Sequence, residues 1–462
     1  MRWHYGHHRF EARTNAGGSR SIQLNRWFLY FAIRRRRFLA AAATLSGTFA
    51  APLRLAAQSR VQLTPEMFCG VGYPDAASAM TGIDSTRAVQ AMADFAAAHR
   101  QPCGGREGMW YKVGTVAWPS HSDVHNLALL FRGGSEDGAP YTIDATSSPR
   151  HDLRFTDCSV HGNRLNQQDL RTSGGDGQRF GWALRAGFPD AISRVTLIRC
   201  KAWHCATDGF FTTCSGASQA PGGSYFHREI SMEAPDFQWN GRHGGSLMGV
   251  KGLRIVGGNL RNNGKHAPGH SPDVRSGGMA RMFNGGPFGR PWDCESELPG
   301  EGFEDILFRG VDMRDNAGGM LFHHVRWPGH PLARNISVQN CRLSDPSGQT
   351  TGDGALIFFG VDATTGKPFR NGTMVYDGVY ALDNQYERHG VSVYNANHVR
   401  ISGGHANITG PGFWGYYAMA HQCGDDIVID VRSNRPHIWR ANGDQGGVIS
   451  SPLYSKAKRR SS

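Results

Sequence analysis

Val195-Thr196-Leu197-Ile198-Arg199-Cys200-Lys201-Ala202-Trp203-His204-Cys205-Ala206-Thr207-Asp208-Gly209-Phe210-Phe211 is the stretch whose reading decides the fold. It reads strand, turn, strand. Val195, Leu197 and Cys200 lie near period two; His204 and Cys205 break the run; Thr207-Asp208-Gly209 supplies a turn before Phe210 and Phe211 resume it. Imperfect copies follow at 153–163, 229–241, 253–264, 306–316, 336–345, 374–384, 399–409 and 427–434. With Cys158, Cys200, Glu233, Gly258, Val311, Cys341, Val379, Gly404 and Val431 as the shared column, the spacing never falls below 25 residues and reaches 53. A floor with excesses, rather than a fixed period, is what stacked coils with loop insertions produce. A hairpin sandwich would instead join paired runs through two-residue Asn-Gly turns, not through coils of at least 25 residues.

The expected fold is therefore all-β: one right-handed parallel β-helix. A solenoid needs an end cap, because its terminal coil otherwise exposes core. An amphipathic helix from Asp84 to His99, capped by Asp84 or Ser85 and burying Val89, Met92, Phe95 and Ala96, fits that role. Ile83-Asp84-Ser85-Thr86, the helix, Gly104-Gly105, a strand over Met109–Trp118 and Pro119 together resemble the first segment of pectate-lyase-like β-helices and phage tailspikes, in which such a helix caps the solenoid. The expected domains are a leader over 1–57, a lead-in with the capping helix over 58–125, the β-helix over 126–440 and a tail over 441–462.

Glycine makes up 61 of 462 residues with no collagen period, which is turn chemistry repeated many times. The net charge of +12 is confined to the ends. Ten arginines and one acid fall in residues 1–57, and Lys456, Lys458, Arg459 and Arg460 close the chain. The body is near neutral, so no nucleic-acid partner is expected. No apolar run is long enough to span a membrane. Arg34–Arg37, Phe38-Leu39 and the apolar run Ala40–Ala51 make a secretory signal and resemble a twin-arginine export signal. The expected location is periplasmic or extracellular. Nine cysteines leave at least one unpaired and form no CxxC; Cys158, Cys200 and Cys341 read as stacked core thiols.

Asp208 is the first candidate for chemistry. Cys205-Ala206-Thr207-Asp208-Gly209-Phe210 resembles the Asn-Thr-Asp-Gly segment of polygalacturonases, whose Asp is catalytic. Asn240-Gly241-Arg242-His243-Gly244-Gly245 resembles their Gly-His-Gly segment, and equally the Asp-Arg-His-Gly-Phe coil of alginate C5-epimerases. Gly187-Phe188 through Phe210 also looks like the epimerase catalytic region, but Pro189-Asp190-Ala191-Ile192 lacks its His and Glu. Arg281 is a degenerate partner for the polygalacturonase Arg motif. Glycoside hydrolysis needs two carboxylates, and Glu233 or Asp236 could join Asp208. β-Elimination from a uronate needs a base and a cation instead, and His243, Lys265, Arg275 and Arg281 offer both. His270, Asp273 and Trp239 complete the proposed substrate-binding set; Trp203, Trp292 and Trp327 could also stack on sugar rings. His266, His270 and Asp273 have a ligand-like spacing, but no metal or other cofactor is assigned, apart from Ca²⁺ should the enzyme be a lyase. The polar stretches 288–302 and 323–330 read as functional loops.

The function expected is an exported polysaccharide-degrading hydrolase or lyase with a polysaccharide partner. The alternatives are a glycan-binding or adhesion solenoid and a uronate C5-epimerase.

Overall fold

A computed structural model describes residues 62–132, 138–167, 179–215, 226–265, 289–296, 301–326, 332–344, 354–362, 367–368, 373–409, 418–421, 423, 427–434 and 438–440. The export leader, the basic tail, Trp327 and most of the long insertion, with His266, His270, Asp273, Arg275 and Arg281, lie outside the described residues.

The architecture is a right-handed parallel β-helix with three faces. Face one is built from Asp123–His125, Arg150–Thr156, Ile192–Ile198, His227–Glu233, Val250–Val256, Phe303–Arg309, Ala333–Gln339, Tyr376–Leu382, Ala396–Asn407 and Ile427–Ser433, each parallel to the next. Face two is short: Trp110–Val113, Ala128–Phe131, Ser159–His161, Lys201–Trp203 and Asp236–Gln238, continued through Asn259 and Asp312 to Arg342–Ser344 and Gln385–Glu387. Face three runs from Tyr141–Ala145 through Trp182–Gly187, Phe210–Ser215, Gly245–Leu247, Trp292–Ser296, Met320–Arg326, Leu356–Asp362 and Val391–Tyr394. The opening stretch thus contains two corners, not one turn, and contributes to all three faces.

Register corrects the sequence column. Leu153, Val195, Ile230, Leu253, Ile306, Ile336, Val379, Val399 and Ile427 are in line on face one. Five residues on, at the first corner, stand Cys158, Cys200, Pro235, Gly258, Val311, Cys341, Asn384 and Gly404. Pro235 replaces Glu233 and Asn384 replaces Val379 in the expected set. The coil from Val379 to Val399 closes in twenty residues and that from Trp110 to Ala128 in eighteen, both below the expected floor. Apolar alternation alone cannot detect the first of these shifts, Pro235 for Glu233, because a slip of two residues keeps the same face inward.

The coils bend at repeated positions where φ is positive. One kink within face one is occupied by Asp152, Arg194, Glu229, Gly252, Asp305, Asn335, Gly378 and His398. The first corner uses Asp157, Arg199, Ala234, Gly257, Gly310, Asn340, Asp383 and Gly403, and the second, between faces two and three, uses His204, Trp239, Asn262, Asp315 and Arg388. Gly, Asn and Asp dominate because they enter the left-handed region at least cost. The arginines, Glu229 and Trp239 sit there because neighbouring coils dictate the bend.

Inside, Trp118, Tyr141 and Trp182 stack at 5.5 and 3.9 Å, and Phe322 stacks on Phe358 at 4.8 Å. Trp292 belongs to this core, fully buried, rather than to a sugar-facing surface. All nine cysteines are free thiols, with Cys158 and Cys200 buried on successive coils. The capping helix runs Thr86–His99 and buries Ala88, Val89, Met92, Ala93 and Ala96. Phe95 instead lies exposed, stacked on His99 at 4.0 Å. Asp84 rather than Ser85 accepts from the first-turn backbone, at Thr86 N. No helix among the described residues is long and apolar enough to cross a membrane.

Candidate functional site

The second corner is held by a ladder of buried asparagines. Asn263 Oδ1 accepts from the backbone N and Nδ2 of Asn240 at 3.2 and 3.1 Å. Asn316 Oδ1 accepts from the same two groups of Asn263 at 3.0 and 2.9 Å. Asn240 Oδ1 accepts from Cys205 N at 3.0 Å. Each amide thus satisfies the backbone of the coil before it, so four successive coils are tied at one corner. The ladder fixes the segments just after it, Ala206–Gly209 and Gly241–Ser246.

Asp208 and His243 meet there. Asp208, fully buried, accepts four hydrogen bonds. Oδ1 takes Arg242 Nε at 2.8 Å and the His243 backbone N at 3.0 Å; Oδ2 takes Arg242 Nη2 at 2.5 Å and Ser246 Oγ at 2.9 Å. Burial pushes its pKa up, but Arg242's charge and hydrogen bonds and the adjoining His243 outweigh that, holding the carboxyl below its usual range. Asp208 is therefore an ionised, saturated clamp, not a carboxylate displayed at a turn edge.

His243 passes the network outward. Its Nδ1 accepts from Arg290 N at 3.1 Å, so Nε2 carries the proton and donates to Asp293 Oδ2, also at 3.1 Å. Asp293 is itself buried; burial raises its pKa, but His243 first and then Arg290 and Arg242 hold it low. Its Oδ1 has no hydrogen-bond partner. Arg290 donates Nη1 to Gly319 O at 3.0 Å and keeps Nε 3.9 Å from Asp293 Oδ2.

Ser246 and Asp293 lie on an outward row of face three, just after the corner. Phe211, Ser246, Asp293 and Leu321 are in register, as are Glu295 and His323 beyond them. His323 is half-buried and stacks on Phe359 at 5.7 Å. Burial lowers its pKa; Asp293 opposes the shift and Arg290 adds to it, so its imidazole is neutral at pH 7. The long insertion leaves and returns at this corner: a Cβ on Gly264, whose φ is +73°, would come within 2.3 Å of Gly289 Cα. Asn263 and Arg290, which border the insertion, both belong to the network.

Of the sequence candidates, the structure brings Asp208 and His243 together. Glu233 ends its face-one strand exposed, and Asp236 begins face two bonded to Gln238 Nε2, so both flank the first corner, with face two between them and Asp208. Lys265 lies by the second corner, its carbonyl accepting from Arg164 Nη1 at 3.1 Å. Burial lowers its pKa against the pull of Asp315, with Arg388 and Arg261 adding to the shift. Trp239 is half-buried at the bend of the same corner. Sequence reasoning did not single out Arg242, Ser246, Arg290, Asp293 or His323 as site residues. The stretches 288–302 and 323–330 drew notice for their polar density, but as loops; Trp292–Ser296 and Met320–Arg326 are strands.

No family model matches the chain, and no curated sequence matches it. Solved structures do share its fold. PfbA, a surface adhesin of Streptococcus pneumoniae, superposes with a TM-score of 0.51 at 11% identity, covering 85% of this chain and 91% of that one. The A-module of the Azotobacter vinelandii mannuronan C-5 epimerase AlgE4 gives 0.47 at 12%, covering 84% and 100%. A family 28 exopolygalacturonase from Yersinia enterocolitica gives 0.33 at 12%, covering 84% and 78%. At this level of identity the likeness is one of fold, the parallel β-helix.

Proposed function

We propose that this is an exported protein acting on polysaccharide, and that its second corner abstracts a proton next to a uronate carboxylate, giving β-elimination or C5 epimerisation. The observation that carries this reading is the company of the two buried carboxylates, Asp208 held by Arg242 and Asp293 by His243. Hydrolysis by a carboxylate pair needs one member protonated to donate to the leaving oxygen, and both carboxyls are held ionised. Proton abstraction needs a neutral base and a cation for the substrate carboxylate. His323 is the neutral base. Arg242, which remains 17% exposed, and Arg290 are the cations.

In the elimination, His323 takes the C5 proton as its C–H pair becomes the C4–C5 double bond. The C4–O bond breaks, and the departing oxygen takes a proton from solvent or the imidazolium. In epimerisation the C5 carbanion takes a solvent proton on the opposite face, and His323 releases its own proton to solvent. The arginines offset the charge gathering on the uronate carboxylate.

Glycan binding without catalysis is the second reading, supported by the partly exposed Trp110, Trp203 and Trp239 on face two and its corner, with His161 packed between the rings of Trp110 and His204. Incubation with a panel of neutral and uronate polymers separates the readings. Unsaturated uronate or altered C5 configuration supports proton abstraction. New reducing ends without either would overturn it in favour of hydrolysis, and retention of polymer with no product would leave binding.

A further inference from the structure

Far from that corner, on the first coils of face one, two histidines and an aspartate converge. Among the described residues this is the one place where three metal-ligating side chains offer donor atoms all within 4.8 Å of one another. His151 Nδ1 stands 2.8 Å and His121 Nδ1 3.6 Å from Asp152 Oδ2. The two imidazoles meet edge to face with centroids 4.9 Å apart. The backbones are pinned: His121 N donates to His151 O at 3.1 Å, and His151 N donates to Ser120 Oγ at 3.1 Å. His121 and Asp152 both occupy positive-φ positions, which aims their side chains outward from adjacent coils.

From the next coil, Arg194 grips the same carboxylate, Nε on Oδ1 at 2.5 Å and Nη2 on Oδ2 at 3.1 Å. Such an outer partner orients a ligating carboxylate, while its charge weakens the attraction for a cation. The ligand side chains are 32–41% exposed, which leaves room for water to complete a coordination sphere.

We propose that His121, His151 and Asp152 form a binding site for a borderline divalent transition ion of the Zn²⁺ type, restrained by Arg194. Two imidazole nitrogens with one carboxylate oxygen suit Zn²⁺, Co²⁺ or Ni²⁺, whereas Ca²⁺ and Mg²⁺ require oxygen-rich sets. An ion there ties the coil of His121 to that of His151 and Asp152, at the end of the solenoid that the capping helix closes. The site is independent of the chemistry proposed for the second corner.

The test is titration of chelator-stripped full-length protein with Co²⁺, read by visible absorption, and with Zn²⁺, read by thermal unfolding. The expected result is one Co²⁺ per chain with a visible band, displaced by Zn²⁺ but not by Ca²⁺ or Mg²⁺, and an unfolding temperature that rises with Zn²⁺. His121→Ala and His151→Ala abolish the band. Arg194→Gln retains all three ligands and tightens binding by about tenfold, the effect of one unit charge ~6 Å from a divalent ion in water. No band in the wild-type protein overturns the proposal. So does a band that survives both histidine substitutions, because the ion then sits on others of the 21 histidines. Unchanged affinity in Arg194→Gln would place the ion away from Asp152.

Discussion

Two Asp–Arg pairs in this molecule share a design and differ in burial. At the first corner Arg199 grips Asp157 on the preceding coil, Nε and Nη2 each at 2.7 Å. At the second, Arg242 on the following coil grips Asp208 in the same two-pronged manner. The side chains of Asp157 and Arg199 are 39% and 54% exposed, whereas Asp208 is wholly enclosed. Water competes for the first pair and screens it, so it contributes little. The second cannot lose one member without stranding a charge. Similar geometry therefore marks a surface tie in one place and the buried keystone of the second corner in the other.

The widest separation should come from removing each arginine. Arg242→Ala leaves Asp208 buried and unpaired and should destabilise the fold by about 3–5 kcal/mol, read as a lower denaturant midpoint. Arg199→Ala, at the exposed pair, should stay below about 1 kcal/mol. Similar losses at the two sites would break the distinction. Asn263→Ala comes next. It strands the Asn240 backbone N–H and the Asn316 acceptor, at about 1–3 kcal/mol for each orphaned group, and should loosen the second corner first in hydrogen exchange.

Acid should act on the same contrast. Asp208 and Asp293 have depressed pKa values, so their stabilisation is present above the unfolded value near 4 and is lost as pH falls below it. His227 acts earlier. Burial holds its imidazole down to about 4, its only relief being a hydrogen bond to Thr213 O. Between pH 6.5 and 4 the unfolded chain takes a proton that the folded chain refuses, so stability declines over that window by up to about 3 kcal/mol. His227→Gln should flatten that decline in unfolding midpoints measured across it. A profile flat from pH 7 to 4 in the parent protein would contradict the burial argument.

Much of the fold was legible because an apolar-x-apolar repeat ending in Cys, Val or Gly is what a stacked coil requires, and Asn, Asp and Gly had to mark its bends. The site was legible in part. Thr207-Asp208-Gly209 and Arg242-His243-Gly244 stood out as motifs, and one coil of offset brings them into contact. Asp293 and His323 were hidden because insertions of unequal length obscure register, and only register shows that Ser246, Asp293 and Leu321 share a row. Glu233 and Asp236 were near in sequence to the right coil, yet face two intervenes, a separation that spacing along the chain does not reveal.

The most direct test of the second corner as a proton-abstracting site is solvent exchange at C5. A uronate polymer incubated with the protein in deuterated water should gain deuterium at C5 or yield unsaturated product. His323→Gln should abolish both while its unfolding midpoint stays at the parent value. Equal turnover by the folded variant, or chain cleavage with neither deuterium nor unsaturation, would contradict the account.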